Sequence, residues 1–182
     1  MRDDVAFLTL RLVTGGLLAG HGAQKLFGAF GGSGRAGTSA MMEHLNLRPA
    51  EYWGAAAGLS EFAGGALTAL GLGGTLGPIG ILSAMTMAGT TAHWGKPIWV
   101  SEGGAELPLT NGAVALAVAL VGPGRYSLDR VLGIRVPWWI TAGAALAAVG
   151  TIGAAHSMRA QSAKEVQEPV EQAAPGDQQV GA

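Results

Sequence analysis

The run Phe62–Gly95, FAGGALTALGLGGTLGPIGILSAMTMAGTTAHWG, contains no Asp, Glu, Lys or Arg. A helix crossing a hydrocarbon core of about 30 Å needs about 20 apolar residues at about 1.5 Å each. The run is therefore too long for one crossing and long enough for two. Gly71-Leu72-Gly73-Gly74-Thr75-Leu76-Gly77-Pro78 places a turn in its middle, and Pro78 suits the first turn of the next helix. The run therefore predicts a helical hairpin in a membrane.

Similar gaps in charge flank this hairpin. Val5–Gly34 carries only Arg11 and Lys25, and neither 107–124 nor 136–158 carries any charge. Five spans follow: Val5–Phe27, Tyr52–Leu72, Leu76–Trp94, Leu107–Val121 and Pro137–Ala155. Arg11 and Lys25 interrupt the first, which is also longer than the apolar core of a secretory signal, so it is expected to be retained. The fourth, with Pro108 and Asn111, reads as starting in a partly re-entrant segment. Trp138 and Trp139 open the fifth like an interfacial belt. The expected fold class is all-α: an integral membrane helical bundle with a four-helix core at 1–135, an additional transmembrane helix at 136–157, and a disordered polar tail at 158–182. The glycine-rich segment Gly28–Ala40 reads as the start of a mobile extramembrane loop.

Composition narrows the function. At 13% charged residues the chain has about half the share of a soluble domain, which argues against a soluble enzyme. With 11 Lys plus Arg against 12 Asp plus Glu there is no basic excess to hold nucleic acid. The absence of Cys removes disulfides, thiolate nucleophiles and Cys-ligated clusters. Basic residues divide between one face (Arg2, Arg125, Arg130, Arg135) and the other (Arg35, Arg48, Lys96, Arg159, Lys164). The arginines clustered after the fourth span, with Arg2, assign a cytoplasmic N-terminus to a multi-pass protein of the cell membrane.

Ionised side chains in the bilayer interior cost about 2.5–3.5 kcal/mol on insertion scales, so Arg11, Lys25 and Glu61 should face protein or water. Around the first helix, Thr14, His21 and Lys25 fall within about 80° of Arg11, and Gly15 and Gly22 share that sector. Counting from opposite faces puts Arg11 about 9 Å and Glu61 about 16 Å above one face, which predicts an Arg11–Glu61 ion pair. The same count lets Glu61, His21, Lys25 and His93 line one outward-opening cavity. Plainer alternatives remain: a packing pair for Arg11 and Glu61, snorkelling for Lys25, and backbone hydrogen bonds for His21 and His93. The same two histidines could ligate haem b, a low-specificity pattern and the minor reading. Zinc is weaker still, because His44 and His156 lie far off and no i,i+4 histidine pair exists. Gly16–Gly20 and Gly54–Gly58 are small-xxx-small patterns that predict close helix approach. Gly71-Leu72-Gly73-Gly74 lacks the spacing and the preceding strand of a dinucleotide site.

Several motifs occur in register: His21-Gly22-Ala23-Gln24-Lys25-Leu26-Phe27-Gly28, then Glu61 with Gly64 and Gly65, then His93-Trp94, Gly103-Gly104-x-Glu106, and Gly122-Pro123-Gly124-Arg125-Tyr126-Ser127-Leu128-Asp129. Over Val5–Asp129 the chain thus resembles the DoxX family of small bacterial and archaeal membrane proteins. The resemblance implies a four-helix membrane bundle in a redox system, since relatives include quinone-reducing subunits of archaeal thiosulfate oxidation and a component of an actinobacterial complex handling thiol and superoxide stress. It implicates His21, Gln24, Lys25, Glu61, His93 and Glu106. With no Cys here, sulfur chemistry would require a partner.

The leading expectation is a quinone-interacting membrane subunit. His21, Glu61 and His93 form its acid–base set, and Arg11, Gln24, Lys25, Trp94 and Glu106 bind the ligand. Because the chain supplies no ligands for an intrinsic redox centre, electrons must come from a soluble or membrane oxidoreductase partner. The lipid bilayer and a second copy of the chain are the other expected partners. The alternatives are a non-catalytic scaffold or assembly factor, and a small-solute or proton transporter.

Overall fold

The computed structural model describes residues 2–173. In chain order they form α1 (Arg2–Phe27), a 3-10 turn (Ala29–Gly31), α2 (Gly34–His44), α3 (Ala50–Leu70), α4 (Leu76–Thr91), a 3-10 turn (Val100–Glu102), α5 (Glu106–Val121), α6 (Leu128–Leu132) and α7 (Trp138–Ala173). Among the described residues there is no strand.

α3 and α4 form a helical hairpin about the glycine turn. Gly71 closes α3 in the left-handed conformation (φ 61°, ψ 47°), and its N–H returns to the last turn of the helix. Pro78 then sits in the first turn of α4, where its missing N–H costs nothing. α1 packs along α3, α3 along α4 and α4 along α5, with a smaller contact between α5 and α1. Glycine sets the tightest of these contacts. A Cβ on Gly22 would lie 2.2 Å from the Phe62 amide nitrogen, and one on Gly65 would lie 2.4 Å from that of Ala19. The α1 and α3 backbones are therefore in direct contact, as association in lipid requires when no hydrophobic effect drives it.

Burial is inverted relative to a water-soluble bundle. Leu17, Leu120 and Leu146 are 63%, 79% and 73% exposed, whereas Arg11 and Glu61 are 1% and 4% exposed. Leu18, Ile81, Ala84, Met85 and Ala115 form one apolar cluster between α1, α4 and α5. Met42, Leu47, Ala50, Trp53 and Ala155 form a second, where α2 and α7 meet the top of α3. Two helices are long and apolar enough to cross a membrane, Arg2–Phe27 and Trp138–Ser162, and the second is almost wholly exposed.

Four expectations change. Gly34–His44 is a helix, not loop, because Thr38 and Met42 give it a buried edge that fits against the small residues of α3. The third span ends as a helix at Thr91, so His93 and Trp94 belong to the following loop. Gly16 and Gly20 face away from other helices, and Gly15 and Gly22 make the close approach instead. The polar segment expected to be disordered from 158 continues α7 to Ala173, in keeping with the helix propensity of its Ala, Gln, Glu and Lys residues. The rest of that predicted tail, 174–182, lies outside the described residues.

Candidate functional site

Arg11 and Glu61 do not pair. α1 and α3 run antiparallel, with Gly15 against Gly65 and Ala69 and with Gly22 against Phe62. This register puts Arg11 beside Gly71 and Glu61 nearly level with Gly22, about 16 Å apart along the axis at 1.5 Å per residue. Each Cα–Cβ bond also leans toward the N-terminus of its own helix, so the two side chains diverge. The depth count failed because it aligned span ends, whereas glycine contacts set the register.

Arg11 instead closes the end of the molecule where α3 turns into α4. It donates to the backbone carbonyls of Pro123 and Tyr126, and Gly71 leaves room for its guanidinium. Asp129, whose charge acts on Arg11, accepts from the amides of Gly73 (2.9 Å) and Gly74 (2.6 Å). The glycine turn is thus an anion-binding nest filled by the chain's own carboxylate. Ser127 Oγ caps α6 by accepting from the Arg130 N–H at 3.3 Å.

Glu61 pairs with Lys25. The Lys25 ammonium donates to Glu61 Oε1, while Glu61 Oε2 is buried with no hydrogen-bond partner among the described residues. This carboxylate borders a partly open cavity of about 100 Å³ between α2, α3, α4 and α7. Met42, Leu47, Trp53 and Met87 make its wall mostly apolar, and Ser60, Ser83, Thr91 and Thr151 add hydroxyls. Lys25 also lines a second, polar hollow of about 420 Å³ with Arg35, Glu43 and Glu51. Thr38 ties α2 to this corner by donating to the carbonyls of Gly34 (2.7 Å) and Lys25 (3.2 Å).

The histidines stand elsewhere. His21 is exposed on the outer face of α1, where its Nδ1 lies 3.1 Å from Gln24 Oε1. His93 lines a groove of about 820 Å³ between α4 and α5, together with Trp94, Lys96, Leu82, Met85, Pro108 and Leu116. Its Nδ1 is 2.6 Å from the Gly103 carbonyl. That bond makes Nδ1 the N–H donor and leaves Nε2 with its lone pair. Glu106 accepts from the Val100 amide at 2.8 Å and so folds the loop that supplies Gly103. Trp94 is 78% exposed at the mouth of the groove.

The single cavity expected around Glu61, His21, Lys25 and His93 is therefore not what forms. Helix α4 separates the Lys25–Glu61 cavity from the His93 groove, and His21 borders neither. Ser60, Ser83 and the α2 wall were missed. The small-polar spacing on α3 and α4 was the available signal, but it is indistinguishable from ordinary helix packing. Among the described residues no group of three His, Asp or Glu is placed to hold a metal ion.

No curated protein and no solved structure matches the chain. The DoxX family model matches residues 6–94, a segment that spans Arg11, Lys25, Glu61 and His93. With two helices apolar enough to cross a bilayer, this match over residues 6–94 points to a membrane protein with a DoxX-type segment.

Proposed function

We propose that the chain is a multi-pass membrane subunit of a redox system that holds a quinone-type carrier in the α4–α5 groove and passes electrons to or from an oxidoreductase partner. The observation that carries this reading is His93. Its tautomer is fixed by Gly103, and its other nitrogen remains available at an apolar groove whose volume falls within the range of small-molecule sites.

The groove suits such a carrier better than the Glu61 cavity, whose volume of about 100 Å³ is below that range. A quinone supplies two-electron chemistry coupled to two protons. The chain supplies the rest. His93 Nε2 accepts a proton from a hydroxyl or, once protonated, donates to a carbonyl oxygen. Leu82, Met85, Leu109 and Leu116 give the groove an apolar lining, and Trp94 offers an aromatic face beside it. Lys25 and Glu61, across α4, form a partly buried acid–base pair at the same end.

Photolabelling tests this directly. A photoreactive quinone added to membranes containing the protein is expected to mark α4 and α5 around His93, and His93→Leu should lose most of the label. Labelling confined to α7 would refute the assignment. The scaffold reading has one observation in its favour, since Arg11 is used up in structural hydrogen bonds. It predicts no saturable label at all.

A further inference from the structure

We infer that Lys25 is a gate through which Glu61 exchanges protons with only one side of the membrane, the side that carries α2. This deepens the reading of Lys25 and Glu61 as an acid–base pair and rests on it.

Three observations converge. Lys25 lines both the hollow beside α2 and the cavity that Glu61 borders, so it stands at the junction of the two. Glu61, which lines the cavity, is 4% exposed, and its Oε2 is buried without a partner among the described residues. The cavity is large enough for several waters, each needing about 10–15 Å³ of such volume, and Ser60, Ser83, Thr91 and Thr151 offer them hydroxyls. The charged groups near Glu61 complete the pattern. Lys25 faces it from α1; Arg35 and Glu43 on α2 and Glu51 on α3 lie across the hollow; α4 and α7 contribute hydroxyls only.

A buried carboxylate without a counter-charge is costly, and so is a buried ammonium. Two arrangements avoid both costs. In the first, which the structure shows, Lys25 pairs with ionised Glu61. In the second, water in the hollow delivers one proton, an O–H bond forms on Glu61, and the ion pair opens. Lys25 keeps its proton and turns outward toward Glu43 and Glu51. Return of the proton to the hollow, or its passage into the cavity, restores the first arrangement. The opposite end of the molecule has a hollow lined by Asp129, Arg130 and Arg135, but it borders neither Lys25 nor Glu61, and Arg11 and Asp129 are locked into backbone hydrogen bonds there.

An apolar carbodiimide reports protonation directly, since it adds to a carboxylic acid and not to a carboxylate, and the adduct is read by mass spectrometry. In uniformly oriented vesicles holding the full chain, lowering the pH on the α2 side is expected to accelerate adduct formation at Glu61. Lowering it on the other side should have no effect. Lys25→Met leaves Glu61 without its cation and should label about tenfold faster or more at neutral pH, whereas Lys25→Arg should label as slowly as the native chain. A response to the opposite side, no response to either, or native-like labelling of Lys25→Met would overturn the gate. The measurement needs neither carrier nor partner, so its failure is distinct from failure of the quinone label.

Discussion

Arg11 and Lys25 lie on one helix, and both are cations that must be compensated away from water, yet they have opposite characters. The guanidinium of Arg11 is fully enclosed and bound to two loop carbonyls, a task that its planar fork performs and an ammonium does not. Arg11→Met should therefore cost about 3 kcal/mol or more, because two buried acceptors lose their donor and Asp129 loses its neighbouring cation. Thermal unfolding in detergent checks this, and a loss below about 1 kcal/mol would mean that water replaces the guanidinium. Lys25, with a quarter of its side chain exposed, has room to move. Its single bond to Glu61 can be broken without dismantling a loop.

At the scale of helices, the α1–α3 seam decides where everything else falls. Gly22→Val would set a branched side chain against the Phe62 backbone, where even a Cβ lies 2.2 Å from nitrogen. The helices must then separate and carry Lys25 away from Glu61. The expected result is a destabilisation of about 3 kcal/mol or more together with faster carbodiimide labelling of Glu61. Gly16→Val, on the outer face with nothing within 4 Å, should change neither. What the sequence revealed and what it hid divide along this seam. The buried sector of α1, with Arg11, Thr14, Gly15 and Gly22, was legible because helical periodicity is a local property. The partner of Arg11 was not, because the register between two helices depends on which small residues touch, and both Gly15 and Gly16 were eligible. Helix α2 was hidden for a related reason. Its glycines advertise a loop, and only the docking of Thr38 and Met42 makes the helix worthwhile.

Over the whole molecule, the ends differ more than the length between them. One carries Arg125, Arg130 and the Asp129 lock; the other carries α2, the two hollows and the His93 loop. The chain contains no Cys, so Arg130→Cys and His44→Cys each create a lone thiol at an exposed position. An impermeant maleimide should reach these two thiols from opposite sides of a sealed vesicle. Reaction of both from the same side would defeat the multi-pass reading. The division of basic residues between the two faces was readable in the sequence. The separation of the Glu61 cavity from the His93 groove was not, since it depends on α4 standing between them.

Asp129 grips the Gly73 and Gly74 amides while its own N–H donates to the Gly71 carbonyl at 3.1 Å, so the turn between α3 and α4 is stitched to α6. Such a knot acts as a clamped base. At the other end α2 rests on Gly54 of α3 and on the Lys25 backbone carbonyl, so flexing of the helix bundle is expected to fall at the corner where proton traffic would need it.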